Sequence, residues 1–226
     1  MRNGTGPRAN SRETEVHLSR RIGDLNLDTL RDIPLRCRGC VFWELSPLDR
    51  AMAIEADPEF EKEVWASAVC LQHGSAGKVA WLDGRVAGYA LAGPPQEFPR
   101  SESFPARVSK DAWFLATVHV LPEAEGRGLG KALVQAVLKD AKEHGKKALE
   151  CFADRSWAGP DCIVPASYTE RIGFKVRRDH VRFPLMRIDV RSIAKLTESA
   201  AEAVEEFLRS VTAPIASPGP ARFGPR

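Results

Sequence analysis

Residues 111–130, DAWFLATVHVLPEAEGRGLG, place an apolar run directly ahead of three closely spaced glycines, Gly126, Gly128 and Gly130. A strand this apolar is buried on both faces, which puts it inside a sheet rather than at its edge. Leu129, Leu133, Ala136, Val137 and Ala141 then recur at helical spacing until Gly145, so the segment predicts a strand, a bare turn and a helix. A helix start presents unpaired backbone N–H groups and a partial positive charge, and glycines let an anion approach both closely. Arg127 and Lys131 add positive charge nearby. The spacing Gly-x-Gly-x-Gly lacks the Lys-Ser/Thr of a P-loop and the distant acid of a dinucleotide fold. It therefore fits a pyrophosphate cradle of another kind, or a turn chosen only for tight packing.

The flanking sequence builds a sheet around this unit. KVAWLDGRVAGYALAG (78–93) predicts a hairpin, because Asp83-Gly84 suits the positive φ angles of a tight turn. CRGCVFWEL (37–45) ends in a run that suits an early strand. Ser46-Pro47 and Asp57-Pro58 each set an N-cap before a first-turn proline, and Phe60, Val64, Ala68 and Leu71 follow at helical spacing until Gly74. Pro94, Pro95, Pro99 and Pro105 predict a long loop over 93–110, of the kind that lies over binding sites. KKALECF (146–152) reads as the next strand, 165–172 as a helix ended by Gly173, and FKVRRDHVRFPLMRIDV as two last strands. This order predicts an α+β sheet with only its centre parallel.

With 226 residues, 43% of them hydrophobic, the chain suits one domain with appendages. We expect a disordered lead over 1–14, a domain over 15–190, an amphipathic helix over 191–211 and a flexible tail over 212–226. Lys plus Arg total 33 against 30 for Asp plus Glu, a balance that argues against nucleic acid as a partner. A polar start and the lack of any stretch of roughly 20 apolar residues argue against a membrane and for a cytoplasmic protein. The five cysteines read as thiols or metal ligands rather than a disulfide frame.

VHVLPEAEGRGLGKALVQAVL (118–138) and SYTERIGFKV (167–176) together resemble the GNAT superfamily of acyl-CoA-dependent N-acetyltransferases, over about residues 38–188. The resemblance implies a three-layer α/β/α fold whose mixed, mostly antiparallel sheet has parallel, splayed middle strands. It implies acetyl-CoA as co-substrate and a primary amine, of a small molecule or a protein, as acceptor in a ternary complex. A catalytically inactive CoA-binding sensor of the same fold is the alternative, and a homodimer is compatible with either.

Carried over by position, the Val118 and Val120 backbones would pair with the pantetheine arm, and Gly126, Arg127, Gly128, Leu129, Gly130 and Lys131 would hold the pyrophosphate. Glu125 stands where the family usually has Arg or Gln, and Cys162 near where many members have an Asn that touches CoA. The family's acidic tyrosine falls at Thr169, with Tyr168 one residue earlier, and its central-strand glutamate has no counterpart in AWFLA. Tyr168 is thus either the acid or a core aromatic, and His119 either the base or a hydrogen-bonded structural histidine. Glu150, Asp111 and Asp161 are weaker candidates for the base. We assign no metal site, although Cys37 and Cys40 could form half of a zinc site with Cys151 and Cys162.

Overall fold

The computed structural model describes residues 19–157 and 162–192, so the expected lead (1–14), all but the start of the helix (191–211) and the tail (212–226) lie outside it. Its strands are β1 (Arg20–Asp24), β2 (Gly77–Leu82), β3 (Arg85–Gly93), β4 (Ala112–Val120), β5 (Ala148–Asp154), β6 (Val164–Pro165), β7 (Lys175–Arg178) and β8 (Leu185–Asp189). Its α-helices are α1 (Leu27–Leu30), α2 (Leu35–Arg38), α3 (Pro47–Glu55), α4 (Pro58–His73), α5 (Leu129–Glu143) and α6 (Ala166–Arg171). The strands form one sheet in the order β1-β2-β3-β4-β5-β8-β7, with β6 attached to β5. The β4–β5 and β5–β6 pairings are parallel and the others antiparallel.

The predicted hairpin is β2–β3, turned by Asp83 at φ 52° and Gly84 at φ 77°. Helix α5 packs Leu133, Val137 and Ala141 against Trp113, Leu115, Leu149 and Cys151 on one face of the sheet. On the other face, Trp65 and Val69 of α4 join Trp43, Phe98, Phe114 and Phe152 in a second core. Two apolar layers, each on its own side of the sheet, give the expected α/β/α arrangement.

Three details differ from the sequence reading. The first strand is β1 rather than a strand within residues 37–45. Val41 and Trp43 are buried in turns instead, where the Trp43 indole donates to the Cys162 carbonyl (2.8 Å) and aromatic packing replaces a ladder. The edge strand β1 alternates too weakly to be read, since Ile22 is its lone large apolar residue.

Second, α4 is capped as expected, with Asp57 accepting from the Phe60 N–H (3.0 Å) and Gly74 closing it at φ 83°. However, it turns Lys62, Trp65, Ala66 and Val69 inward and leaves Phe60, Val64 and Leu71 exposed. The helix carries two apolar stripes, and the inward one includes a lysine whose ammonium pairs with the buried Glu44 carboxylate and the Cys40 carbonyl. A buried charge needs such a partner, and a pattern of apolar residues cannot announce it.

Third, the proline-rich segment 93–110 is anchored. Two 3-10 turns, Pro95–Glu97 and Pro99–Ser103, bury Phe98 between Trp65 and Phe114, and the Trp65 indole donates to the Glu97 carbonyl (2.7 Å).

The central strands part. β4 pairs with β5 only through Ala112, Trp113 and Phe114, opposite Ala148, Leu149 and Glu150. Just beyond, Leu115 lies opposite Ala92 and Thr117 opposite Leu91, so Ala116 is a surplus residue in β4. Such a bulge bends a strand and sharpens its twist. Past it, β4 keeps β3 on one edge, and β6 joins β5 only at Ala153 and Asp154. The result is a fork, floored by the last β4–β5 pair and open toward the glycine turn.

Candidate active site

The glycine turn closes one side of the fork. After the 3-10 turn Pro122–Ala124, Gly126 takes φ 72° and Gly128, the N-cap of α5, φ 74°. A Cβ added at either would meet nothing within 4 Å, so these glycines serve backbone conformation rather than packing. No side chain caps α5 and no acid lies in its first turn, which leaves its leading amides available to an anion. Glu125 is exposed, and its charge acts on His119, raising that pKa against the other influences there.

Gly130 has a different reason. A Cβ there would lie 2.5 Å from the Tyr168 hydroxyl, so only glycine lets that phenol reach the first turn of α5. The hydroxyl is sealed from solvent and has no hydrogen-bond partner among the described residues. Burial pushes its pKa up, which keeps it a proton donor at neutral pH. Thr169 cannot take this part: it is buried and its hydroxyl donates to the Ala166 carbonyl (2.8 Å).

The bulge sets which β4 side chains face which way. Val118 and Val120 pack toward α5, as Trp113 and Leu115 do, although plain alternation from Trp113 would turn them away. His119 points to the other face, its ring 5.8 Å from Tyr89. Burial lowers the His119 pKa, so the imidazole is neutral near pH 7 and able to accept a proton.

The remaining acids hold the frame. Glu150 is buried and accepts from the Ser109 N–H (2.7 Å), the Ser109 hydroxyl (2.8 Å) and Arg187 (2.9 Å). Arg187 also grips Asp111 and holds its carboxyl below the usual range. Asp161 lies outside the described residues.

A profile of the acetyltransferase (GNAT) family matches residues 38–158. The chain belongs to that family. Among solved structures, it resembles PaiA N-acetyltransferase from Thermoplasma acidophilum in complex with coenzyme A at 16% identity, covering 76% of this chain and 99% of that one, with a TM-score of 0.50. It resembles YncA from Salmonella typhimurium with acetyl-CoA equally, at 16% identity, 76% and 94% coverage and a TM-score of 0.50. These likenesses agree with the mixed sheet and its parallel, parting centre.

Of the residues singled out in this GNAT chain, the structure brings Val118, Val120, Gly126–Gly130 and Tyr168 to the α5 side of the fork. Cys162 is placed elsewhere: it packs with the α4-side core, its sulfur 2.8 Å from that of Cys40. The four-cysteine zinc arrangement is not assembled, because Cys151 is buried in the α5-side core while Cys37 and Cys162 pack on the α4 side. Among the described residues no three His, Cys, Asp or Glu are grouped to hold a metal, and no helix is long and apolar enough to cross a membrane. Sequence reading overlooked Tyr89, which reads as an ordinary strand aromatic yet shares a hydrogen bond with Cys37 beside His119.

Proposed function

We propose that this GNAT acetyltransferase moves an acetyl group from acetyl-CoA to a primary amine of a small molecule or protein, by direct attack in a ternary complex. The observation that carries this reading is the buried, unpartnered Tyr168 hydroxyl beside the open first turn of α5. A buried hydroxyl without a partner costs about 1–3 kcal/mol, and a ligand that accepts from it removes that cost.

The backbone from Gly126 to Lys131 binds the pyrophosphate through amides and the positive end of α5. Glu125 is exposed, where water screens its charge, and Arg127 adds long-range attraction. Beyond Phe114 the β4 edge that parts from β5 offers Val118 and Val120 main-chain groups to an extended arm, as a sheet edge does to an added strand. Free amides on the same edge stabilise the oxyanion that develops at the thioester carbon. Tyr168 gives its proton to the departing thiolate. On the opposite face, His119 takes a proton from the acceptor, whose ammonium form has a pKa of about 10.4 if it resembles lysine.

The test pairs two measurements on the purified protein: calorimetry with CoA, and thiol release from acetyl-CoA across a broad panel of amines. Release with at least one amine supports acetyl transfer. Binding without release for any amine supports the sensor alternative, and no binding at all overturns both.

A further inference from the structure

We propose that Cys40 and Cys162 form a thiol oxidation site, which a hydroperoxide converts to a disulfide across the acceptor side of the fork. The two sulfurs are 2.8 Å apart although 122 residues separate them in the chain. Closing to the bonded distance of about 2.0 Å needs a shift of under ~1 Å. Both segments are already tied: the Trp43 indole donates to the Cys162 carbonyl (2.8 Å), and the Lys62 ammonium to the Cys40 carbonyl (2.9 Å). Both cysteines are only partly buried, so a small oxidant can reach them.

The five thiols differ in what surrounds them. Cys151 is fully buried on the other side of the sheet, and burial pushes its thiol up. Burial likewise raises the Cys70 thiol, which donates to the Leu25 carbonyl (3.5 Å). Cys37 is engaged with Tyr89. The Cys40 and Cys162 sulfurs share one hydrogen bond in which either can be the donor, and the Phe42 N–H and the Lys62 charge further favour a thiolate at Cys40, against the opposing effects of burial and Glu44. The Phe42 N–H at the Cys40 sulfur has no counterpart at Cys162, so Cys40 is the nucleophile and Cys162 the resolving thiol.

In the first step the Cys40 thiolate attacks one oxygen of hydrogen peroxide. The O–O bond breaks, the departing hydroxide takes a proton to become water, and Cys40 becomes a sulfenic acid. The Cys162 sulfur then attacks the Cys40 sulfur. The S–O bond breaks and the leaving hydroxide takes the Cys162 proton. Two thiols and one peroxide yield one disulfide and two waters. The new bond fixes the segment that leads into β6 and α6 against the turns that carry Trp43. Those two segments flank the face from which, on the acetyl-transfer reading above, the amine must enter.

The test treats the reduced full-length protein with one to two equivalents of hydrogen peroxide. We expect an intact mass lower by two hydrogens, a peptide joining Cys40 to Cys162, and full reversal by dithiothreitol. C37S should still form the link, and C162S should instead leave a Cys40 sulfenic acid that dimedone traps. Turnover of the oxidised wild type should drop by about tenfold and return on reduction, with CoA affinity unchanged. A Cys37–Cys40 link, or direct passage of Cys40 to the sulfinic acid in the wild type, overturns the proposal. A link that leaves turnover intact overturns its effect on acceptor entry. Failure of every amine to turn over would sink the acetyl-transfer reading, while mass and peptide mapping still decide the disulfide.

Discussion

The two sides of the fork are built on opposite terms. Toward α5, polar groups stand open among the described residues: the N-cap residue of the helix offers no side-chain cap, and the Tyr168 hydroxyl is buried without a partner. Toward α4, the buried charges and indoles are matched, Lys62 with Glu44, the Trp43 and Trp65 indoles with carbonyls and Cys40 with Cys162, and the exceptions among the described residues are the Nε atoms of Arg38, Arg50 and Arg100. Each of those guanidinium groups carries further N–H donors, whereas the hydroxyl is the whole polar capacity of the Tyr168 side chain, so its lack of a partner calls for a ligand to satisfy it. The contrast therefore separates a face that waits for a ligand from one that holds the domain together.

That separation can be broken by experiment. The largest effect is expected from Lys62→Ala, which strands the Glu44 carboxylate in the core and should cost about 3–5 kcal/mol, read from the urea midpoint. Tyr168→Phe should lower kcat by about a hundredfold while stability and CoA affinity hardly change. A large stability loss there, or no loss of rate, would assign Tyr168 to the frame. Gly128→Val forces a branched residue into φ 74° and should raise the Kd for acetyl-CoA about tenfold.

The pH profile comes next in size. Because burial lowers the His119 pKa, the unfolded chain binds more protons than the folded one just below about pH 6.5. This residue's contribution to stability is thus present at neutral pH and lost as pH falls through that window. The acid limb of kcat/KM should lie below about 6.5 and disappear in His119→Gln. Leu71→Ser, on the outward face of α4, should change stability by less than about 0.5 kcal/mol.

Local rules explain which parts could be read beforehand. Asp83-Gly84, the Asp57 and Ser46 caps, and the Gly126–Gly145 unit each state their conformation within a few residues, and all took the expected form. What escaped depends on contacts between distant segments. The inward face of α4 is chosen by Glu44, 18 residues from Lys62, and the Cys40–Cys162 contact spans 122. β1 has too little apolar alternation to stand out, and residues 41–45 have the composition of a strand but pack as turns. Tyr168 was legible as an aromatic near the right helix, while its reach to Gly130 follows from how α6 sits on α5.

Ala116 carries the last lesson. With one residue more than β3 requires, β4 changes parity there, so odd positions face α5 before it and even positions after it. Removing that single alanine would leave Val118 and His119 on their present faces by plain alternation but take out the bend and draw the strand back alongside β5. Chemistry in this enzyme thus depends on a count of residues as much as on their kinds, and length changes in β4 should be far less tolerated than replacements.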